Sequence, residues 1–155
     1  MKYTSEILQR NVTIEAYIPL SVKAKTAVSY ADYLIFRHGS YSLLELVFDE
    51  KDHMVYRINM PICKELQKFD KAYRLPGEYI KGDMLILSSN DVLTDVFICE
   101  LYTDAIRVKL SDSKVSQTIV SDILVWELDE NGELISVTVY GQPAEVIQHT
   151  YEELV

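Results

Sequence analysis

Residues 123–140 read ILVWELDENGELISVTVY. Two apolar runs, 123–128 and 134–140, flank the polar segment Asp129-Glu130-Asn131-Gly132. Asn-Gly between two apolar runs is the strongest short-range signal of a β-hairpin, because both residues tolerate a positive φ angle. The stretch therefore predicts two antiparallel strands joined by a tight turn.

A second hairpin is predicted in the first half of the chain. Residues 42–48 and 54–60 flank the polar segment 49–53, a pattern typical of two strands joined by a five-residue loop. Residues 12–18 alternate apolar and polar side chains, which predicts a strand that ends at Pro19. Four further apolar runs predict strands at 30–37, 84–88, 92–101 and 105–110.

Two segments that follow a proline predict short helices. After Pro61, residues 62–73 place Ile62, Leu66 and Phe69 on one face of a helix. Pro143 precedes a closing helix over 144–154. Together these patterns predict an α+β protein with β-rich antiparallel meander sheets and two short helices, in one compact domain over 1–155.

The two halves of the chain, 1–78 and 79–155, resemble each other at an offset of 80 residues. Phe48-Asp49-Glu50 aligns with Leu128-Asp129-Glu130 at this offset. Each half runs through a strand, an acidic turn, a second strand and a helix preceded by proline, as expected for an internal tandem of two related halves. The alternative is that any two hairpins with acidic turns resemble each other, and the sequence leaves both interpretations open.

Three segments between residues 104 and 140 carry a family resemblance. They read DAIRVKLSDSKV at 104–115, VSDILV at 120–125 and LDENGELI at 128–135. In this order they resemble a family of small prokaryotic domains of unknown function, in which an Asp-x-Leu-Tyr-Ile-like strand precedes an Asp-rich hairpin. The chain departs from that pattern at Ile106-Arg107 and at 136–139, where Ser-Val-Thr-Val replaces a Gly-Ile-Glu-Ile-like end. The resemblance implies a β-meander and assigns no catalytic residue.

Negative charge is concentrated in the second half of the chain. The protein has 15 basic and 24 acidic residues, and its formal net charge is −9. Residues 1–78 hold eleven basic and ten acidic residues, whereas residues 79–155 hold four basic and fourteen acidic residues. A field of this sign repels nucleic acid and anionic lipid and speeds the encounter with a cationic protein. We therefore expect a basic, toxin-like protein partner and neither nucleic acid nor membrane; the simpler interpretation is an acidic protein kept apart by like charge.

The sequence contains no recognisable catalytic, metal-binding or cofactor-binding motif. Its histidines are scattered and its two cysteines are isolated, at His38, His53, His149, Cys63 and Cys99. The polar segment 49–53 is the densest group of potential metal ligands, and it is typical of a solvated hairpin tip. The five glycines form neither a phosphate-binding loop nor a dinucleotide fingerprint. We expect a non-enzymatic protein without metal or cofactor.

The cysteine content and the hydropathy pattern bear on the compartment. Two cysteines in 155 residues are too few for a disulfide scaffold and suit a reducing environment. The uncharged apolar runs reach only four residues, as at 84–87, which is too short to span a bilayer, and no apolar signal segment follows Lys2. We therefore expect a cytoplasmic protein.

The chain is rich in tyrosine, with eleven residues, and has one tryptophan. Both side chains supply large contact areas with few torsions, which suits protein recognition, although tyrosine is also common in strands. Residues proposed to bind a partner are Trp126, Glu127, Asp129, Glu130, Glu133 and Tyr140. Alternation along a strand places Trp126 and Leu128 on one face and Glu127 and Asp129 on the other, so these residues do not form a single patch.

The function expected from these features is that of a protein-binding module. The most concrete hypothesis is an immunity or antitoxin protein that neutralises a basic toxin domain, such as a nuclease, by covering its active cleft with an acidic surface. One alternative is a structural or regulatory domain that acts as a homodimer through its sheet edges. Another is a small-molecule-binding domain. Salt-sensitive binding of a basic protein, a concentration-dependent mass and a concave pocket would distinguish the three.

Overall fold

The chain forms fifteen strands and one helix in the computed structural model, which describes residues 2–155. In chain order, the elements are β1 (Lys2–Thr4), β2 (Arg10–Val12), β3 (Leu20–Ala24), β4 (Ala31–His38), β5 (Ser42–Asp49), β6 (Val55–Ile62), β7 (Glu65–Lys68), β8 (Ile80–Lys81), β9 (Asp83–Leu85), β10 (Asn90–Leu93), β11 (Ile98–Leu101), β12 (Ile106–Lys109), β13 (Gln117–Ser121), β14 (Leu124–Leu128), β15 (Leu134–Val139) and α1 (Ala144–Leu154). The protein is therefore β-rich.

Most of the strands lie in two sheets. The first sheet has six strands in the order β10-β4-β5-β6-β3-β2, and the second has seven in the order β7-β11-β12-β15-β14-β13-β8. β1 and β9 form a separate two-stranded sheet. Neighbouring strands are antiparallel except at three sheet edges, where β10, β7 and β8 pair in parallel with β4, β11 and β13, respectively. Both large sheets are therefore mixed.

The two large sheets share one strand order. Across the first sheet, β2–β6 are arranged in the order β4-β5-β6-β3-β2, and across the second sheet β11–β15 are arranged in the order β13-β14-β15-β12-β11. In each set of five, the third, fourth, fifth, second and first strands thus lie side by side in that order. In each sheet a parallel strand, β10 or β8, is added beside the third strand. The central hairpins also share a register shift, between Val47 and Phe48 in β5 and between Glu127 and Leu128 in β14. The predicted meander thus accounts for β4–β6 and β13–β15. The first two strands of each set, β2–β3 and β11–β12, lie on the far side of the fifth strand.

Both large sheets contribute to one hydrophobic cluster, so they pack face to face as a sandwich. Alternation along β5 turns Leu44, Leu46 and Phe48 into this cluster, and alternation along β14 does the same for Trp126 and Leu128. All five side chains are almost completely buried. Burial of one leucine or phenylalanine side chain contributes roughly 1.5–3 kcal/mol, so the two inner faces supply most of the stabilising contacts.

The helix predicted over 62–73 is wrong. Residue 62 ends β6, and Glu65–Lys68 form β7, which pairs in parallel with β11 in the second sheet. The spacing of Ile62, Leu66 and Phe69 fits a helix, but Leu66 pairs with Cys99 across the sheet and packs against the core from there. Sheet pairing over a long sequence separation therefore overrides the local helical pattern.

Residues 69–79 continue from β7 across the second sheet. The ring of Phe69 stacks on that of Tyr102 at 5.1 Å, and Tyr73 meets Tyr102 edge-on at 5.4 Å. The backbone N–H of Tyr73 donates a hydrogen bond of 2.8 Å to Asp104 Oδ1. Aromatic contacts and a backbone hydrogen bond, rather than helical turns, hold this segment in place.

Two of the predicted strands have different limits in the structure. The strand predicted over 12–18 ends at Val12, and Tyr17 adopts a φ angle of 68° in a turn before β3 begins at Leu20. Pro19 therefore precedes a strand instead of ending one. The strand predicted over 92–101 is divided into β10 and β11, which belong to different sheets.

The two predicted hairpins and the closing helix are confirmed as β5–β6, β14–β15 and α1. The helix buries Val146, Ile147 and Thr150. Thr150 Oγ1 donates a hydrogen bond of 2.6 Å to the carbonyl oxygen of Pro19, and His149 Nε2 lies 2.9 Å from that of Ile18. Among the described residues, no helix is long and apolar enough to cross a membrane. The C-terminal helix is thus anchored on the first half of the chain.

Candidate binding groove

An open groove of about 760 Å³ lies between the two large sheets. Strands β4 and β10 of the first sheet form one wall, and residues next to β12 and β15 of the second sheet form the other. The segment between β9 and β10 closes one side. This volume is in the range of protein sites that hold a small molecule or a few residues of a peptide.

The floor of the groove is apolar. Leu34 and Phe36 reach it because alternation along β4 turns both side chains toward the core. Ile86, Leu110 and Leu134 complete the floor, and all five are at most 5% exposed. The groove therefore opens directly onto the side of the hydrophobic core.

The rim of the groove is acidic. Asp95, Asp112 and Glu133 line it and are exposed. Lys109 Nζ forms an ion pair of 2.6 Å with Asp112 Oδ1, but the aspartate side chain is still 70% exposed. Within residues 2–155, no lysine, arginine or histidine is among the residues that line this groove. Its electrostatic field therefore favours a cationic ligand.

A second cleft of about 620 Å³ adjoins the groove and shares Ser113 with it. Its lining includes Asp129 and Glu130 from the turn of the β14–β15 hairpin, together with Lys114 from the opposite loop. We call the five carboxylates of the groove and cleft the acidic rim, which consists of Asp95, Asp112, Asp129, Glu130 and Glu133.

The hairpin turn places part of the acidic rim rigidly. Asp129 Oδ1 accepts hydrogen bonds from the backbone N–H groups of Asn131 (2.9 Å) and Glu133 (3.0 Å). Gly132 has a φ angle of 76°, a conformation that glycine adopts without steric cost. The turn that Asn131-Gly132 predicts thus positions carboxylates as well as the two strands.

Three of the six residues proposed from the sequence lie at this site. Asp129, Glu130 and Glu133 belong to the acidic rim. Tyr140 lies elsewhere, where its hydroxyl donates a hydrogen bond of 2.9 Å to the carbonyl oxygen of Asp122. Glu127 and Trp126 occupy opposite faces of β14, as alternation requires.

Trp126 is completely buried, so its indole contributes to the core and not to a surface. It lies on the inner face of β14 with Leu124 and Leu128. Its Nε1–H donates a hydrogen bond of 3.0 Å to Ser121 Oγ. The assignment of Trp126 to an exposed aromatic surface is therefore corrected.

Glu127 lies in an ion-pair network on the other face of the second sheet. Its Oε1 accepts hydrogen bonds from Arg107 Nε and Nη2, both at 3.1 Å, and from Ser136 Oγ at 2.7 Å. Arg107 Nη1 also donates to Glu100 Oε1 at 2.7 Å. Burial tends to lower the pKa of Arg107, but the two carboxylates outweigh it and the pKa is raised. The carboxylate of Glu127 thus already has a cationic partner within the protein, which it shares with Glu100.

Two members of the acidic rim, Asp95 and Asp112, were missed from the sequence. Asp95 follows β10, which was predicted to continue without a break to residue 101. The polar pair Thr94-Asp95 inside that run is the signal that could have divided the strand. Asp112 lies in the loop between β12 and β13, and no local pattern relates it to the hairpin turn.

The cysteines and the acidic loop that were considered as candidate reactive or metal-binding groups have structural roles in the fold. Burial raises the pKa of both the Cys63 and the Cys99 thiol, which favours the protonated form. A backbone hydrogen bond from Lys51 lowers the pKa of Asp49, which caps the turn of the first hairpin. Within the described residues, no group of three or more His, Cys, Asp or Glu side chains is placed to hold a metal ion.

No protein-family model and no curated protein matches this chain. The resemblance of residues 104–140 to a family of small prokaryotic domains therefore stays a prediction.

Proposed function

We propose that this protein is a non-enzymatic protein-binding module whose acidic rim receives a basic segment of a partner protein. The observation that carries the proposal is the groove itself, in which Asp95, Asp112 and Glu133 surround an apolar floor. Such a groove can bind the apolar side chains of a ligand while its rim pairs with cationic ones.

The two parts of the groove have different energetic roles. Exposed carboxylates accelerate the encounter with a basic protein and select against acidic partners. Each exposed ion pair contributes little affinity, about 0–1 kcal/mol. Desolvation of the apolar floor, including Leu34 and Phe36, is the larger source of affinity. The proposal therefore requires a partner segment with both basic and apolar residues.

The most specific form of this proposal is an immunity or antitoxin protein. Such a protein would cover the active cleft of a basic toxin domain, for example a nuclease, with its acidic surface. The support is the placement of fourteen acidic residues in the second half of the chain, five of which form the acidic rim. This support is an analogy of charge and size, and it names no individual toxin.

The experiment is affinity capture of the tagged protein from its source cells at low and high salt, after nuclease treatment, with identification by mass spectrometry. A captured basic protein is then titrated against a groove variant carrying Asp95→Asn, Asp112→Asn and Glu133→Gln. The matched control carries Glu6→Gln, Glu78→Gln and Glu153→Gln, which change the net charge equally at exposed positions outside the groove.

We expect the groove variant to bind at least about tenfold more weakly at low salt and the control to bind within about twofold of the wild type. Equal weakening of the two variants would show that only net charge matters and would contradict a groove-specific site. Recovery of the bait alone, with a mass that rises with concentration, would favour the alternative of a homodimer joined through sheet edges. A small molecule retained by the purified protein would favour the pocket alternative.

We also propose that the two halves arose by internal duplication. The supporting features are the common strand order of β2–β6 and β11–β15 and the equivalent register shifts, which are 80 residues apart in β5 and β14. The segment that aligns with α1 forms β7 instead, so the halves differ at their ends. Superposition of β4–β6 on β13–β15 tests the proposal, because an ancestral duplication requires Phe48 to fall on Leu128 rather than on a neighbouring residue.

A further inference from the structure

Strand β10 has an open edge beside the groove. It is the terminal strand of the first sheet, and within residues 2–155 no strand pairs with its outer side. The N–H of Thr94 donates a hydrogen bond of 2.8 Å to the carbonyl oxygen of Arg37, so the backbone of Thr94 faces β4. Because backbone direction alternates along a strand, Asp91 and Leu93 direct their N–H and C=O groups away from β4. These groups are a template for another strand.

The other edge strands of the two large sheets are shorter or carry more charged residues than β10. β2 and β8 contain only three and two residues, respectively. β7 has four residues, but it presents Glu65, Gln67 and Lys68, and charged side chains are a common protection against edge pairing. β10 also has four residues and ends in Leu93, which is 83% exposed. Of the four edge strands of the two large sheets, it is therefore the one most open to a new strand.

The open edge and the groove are parts of one surface. Val92 is half-buried, lines the groove and packs against the core. A strand added beside β10 would therefore turn alternate side chains toward Leu34 and Phe36 on the apolar floor. Asp91 lies within β10, where its exposed side chain pairs with Arg37, and Asp95 follows the strand. Asp112 and Glu133 lie on the opposite wall of the groove. The added strand thus requires apolar residues on its groove-facing side, alternating with basic residues whose long side chains reach the carboxylates along the edge, Asp91 and Asp95.

We propose that the partner's basic segment binds in an extended conformation and adds a strand to the open edge of β10. This inference rests on the proposed protein-binding function and specifies its mode, β-strand addition. Main-chain hydrogen bonds to Asp91 and Leu93 set the register, apolar side chains enter the groove, and basic side chains meet the carboxylates around it.

The test uses the full-length protein, isotopically labelled for NMR, and a heptapeptide of alternating lysine and valine with blocked ends. We expect the peptide to shift the amide signals of Asp91 and Leu93 and to slow their exchange with solvent. Two N-methylated peptides follow, one methylated at every lysine and one at every valine. Only one of these sets can direct its N–H groups toward β10, so one peptide should bind at least about tenfold more weakly and the other within about twofold.

A variant of the protein provides a second, independent test. Leu93→Pro removes an N–H from the open edge without removing a hydrogen bond to β4, and Leu93→Ala is its matched control. We expect the proline variant to lose peptide binding and the alanine variant to retain most of it. Thermal unfolding of both variants checks that β10 is still in place.

The outcomes separate this inference from the function on which it rests. Equal binding of both N-methylated peptides, or no change in the β10 amide signals, would overturn strand addition. If a captured basic partner still depended on Asp95, Asp112 and Glu133, the proposed function would stand without this mode. If neither the peptide nor a captured partner responded to the groove variant, the proposed function itself would be wrong.

Discussion

The guanidinium of Arg10 and the carboxylate of Asp83 form a completely buried ion pair between positions 73 residues apart. Two nitrogens of Arg10 each approach one oxygen of Asp83 at 2.9 Å. Asp83 also accepts hydrogen bonds from Ser121 Oγ (3.1 Å) and the N–H of Leu8 (3.0 Å), and Arg10 Nε donates to the carbonyl oxygen of Val55 (3.1 Å). Val55 belongs to the first sheet and Ser121 to the second, so this ion pair connects the two sheets.

Substitution of Asp83 should destabilise the protein strongly. Asp83→Asn leaves the buried charge of Arg10 without its counter-ion, at a cost of about 3–5 kcal/mol. The matched control is Asp91→Asn, which removes an ion pair with Arg37 whose side chains are 57% and 41% exposed. That pair should contribute no more than about 1 kcal/mol. Urea unfolding measures both, and similar small losses in the two variants would contradict a structural role for Asp83.

The only tryptophan should report on the core. Because Trp126 is completely buried, we expect blue-shifted native fluorescence that iodide does not quench, and a red shift when urea unfolds the protein. Trp126→Ala should cost about 3–5 kcal/mol of unfolding free energy because it opens a large cavity. Efficient quenching by iodide in the native state would place Trp126 at a surface and contradict its position in the sandwich.

A methyl group at Gly82 should separate β1 from β9. A Cβ atom at this position would clash with the carbonyl oxygen of Thr4, which is backbone and cannot rotate away. Gly82→Ala should therefore destabilise the protein by about 1–3 kcal/mol and release the N-terminal strand to limited proteolysis. Gly77→Ala is the control, because nothing lies within 4 Å of its Cβ position. Equal stability of the two variants would mean that β1 does not pack there.

Two tyrosines should ionise late and make the protein sensitive to alkali. A hydrogen bond of 2.6 Å to Asp52 raises the pKa of Tyr56 to about 12, and burial raises the pKa of Tyr73 to about 12. A tyrosine in the unfolded chain has a pKa of about 10, so the folded state holds these protons more tightly. Their contribution to stability is fully present below about pH 10 and is lost as the pH rises toward 12.

Absorbance of the phenolate measures this late ionisation. Tyr56→Phe should remove one late-titrating group, whereas Tyr17→Phe removes a side chain that is 87% exposed and serves as the control. Titration of all eleven tyrosines in a single step near pH 10 would contradict the hydrogen bond between Tyr56 and Asp52.

The elements predicted correctly are those in which the signal and the structure are local. The acidic turns with their flanking apolar runs predict β5–β6 and β14–β15, because a hairpin closes over a few residues. The preceding Pro143 predicts α1, whose ends coincide with the prediction. The helix predicted over 62–73 also followed a proline, but there the pairing of β7 with β11 places Leu66 against the core of the second sheet.

The candidate site was predicted only in part, because only some of its residues lie close together in the sequence. The hairpin turn could be located in the sequence, and with it Asp129, Glu130 and Glu133 of the acidic rim. Asp95 and Asp112 reach the same groove from two other segments. Alternation separated Trp126 from Glu127 correctly, but which face of β14 meets the core depends on a sheet formed mostly by the other half of the chain.

The sequence by itself determined the β-rich class, the two hairpins, the closing helix and the concentration of negative charge in the second half. Only the tertiary structure decided that β10 joins the first sheet beside β4, that β7 joins the second beside β11, and that five carboxylates meet around a groove and its adjoining cleft. Turn chemistry and periodicity act over a few residues and are written in neighbouring positions. Parallel pairing of distant strands depends on which apolar faces can be buried together, and that is settled only when the two sheets pack.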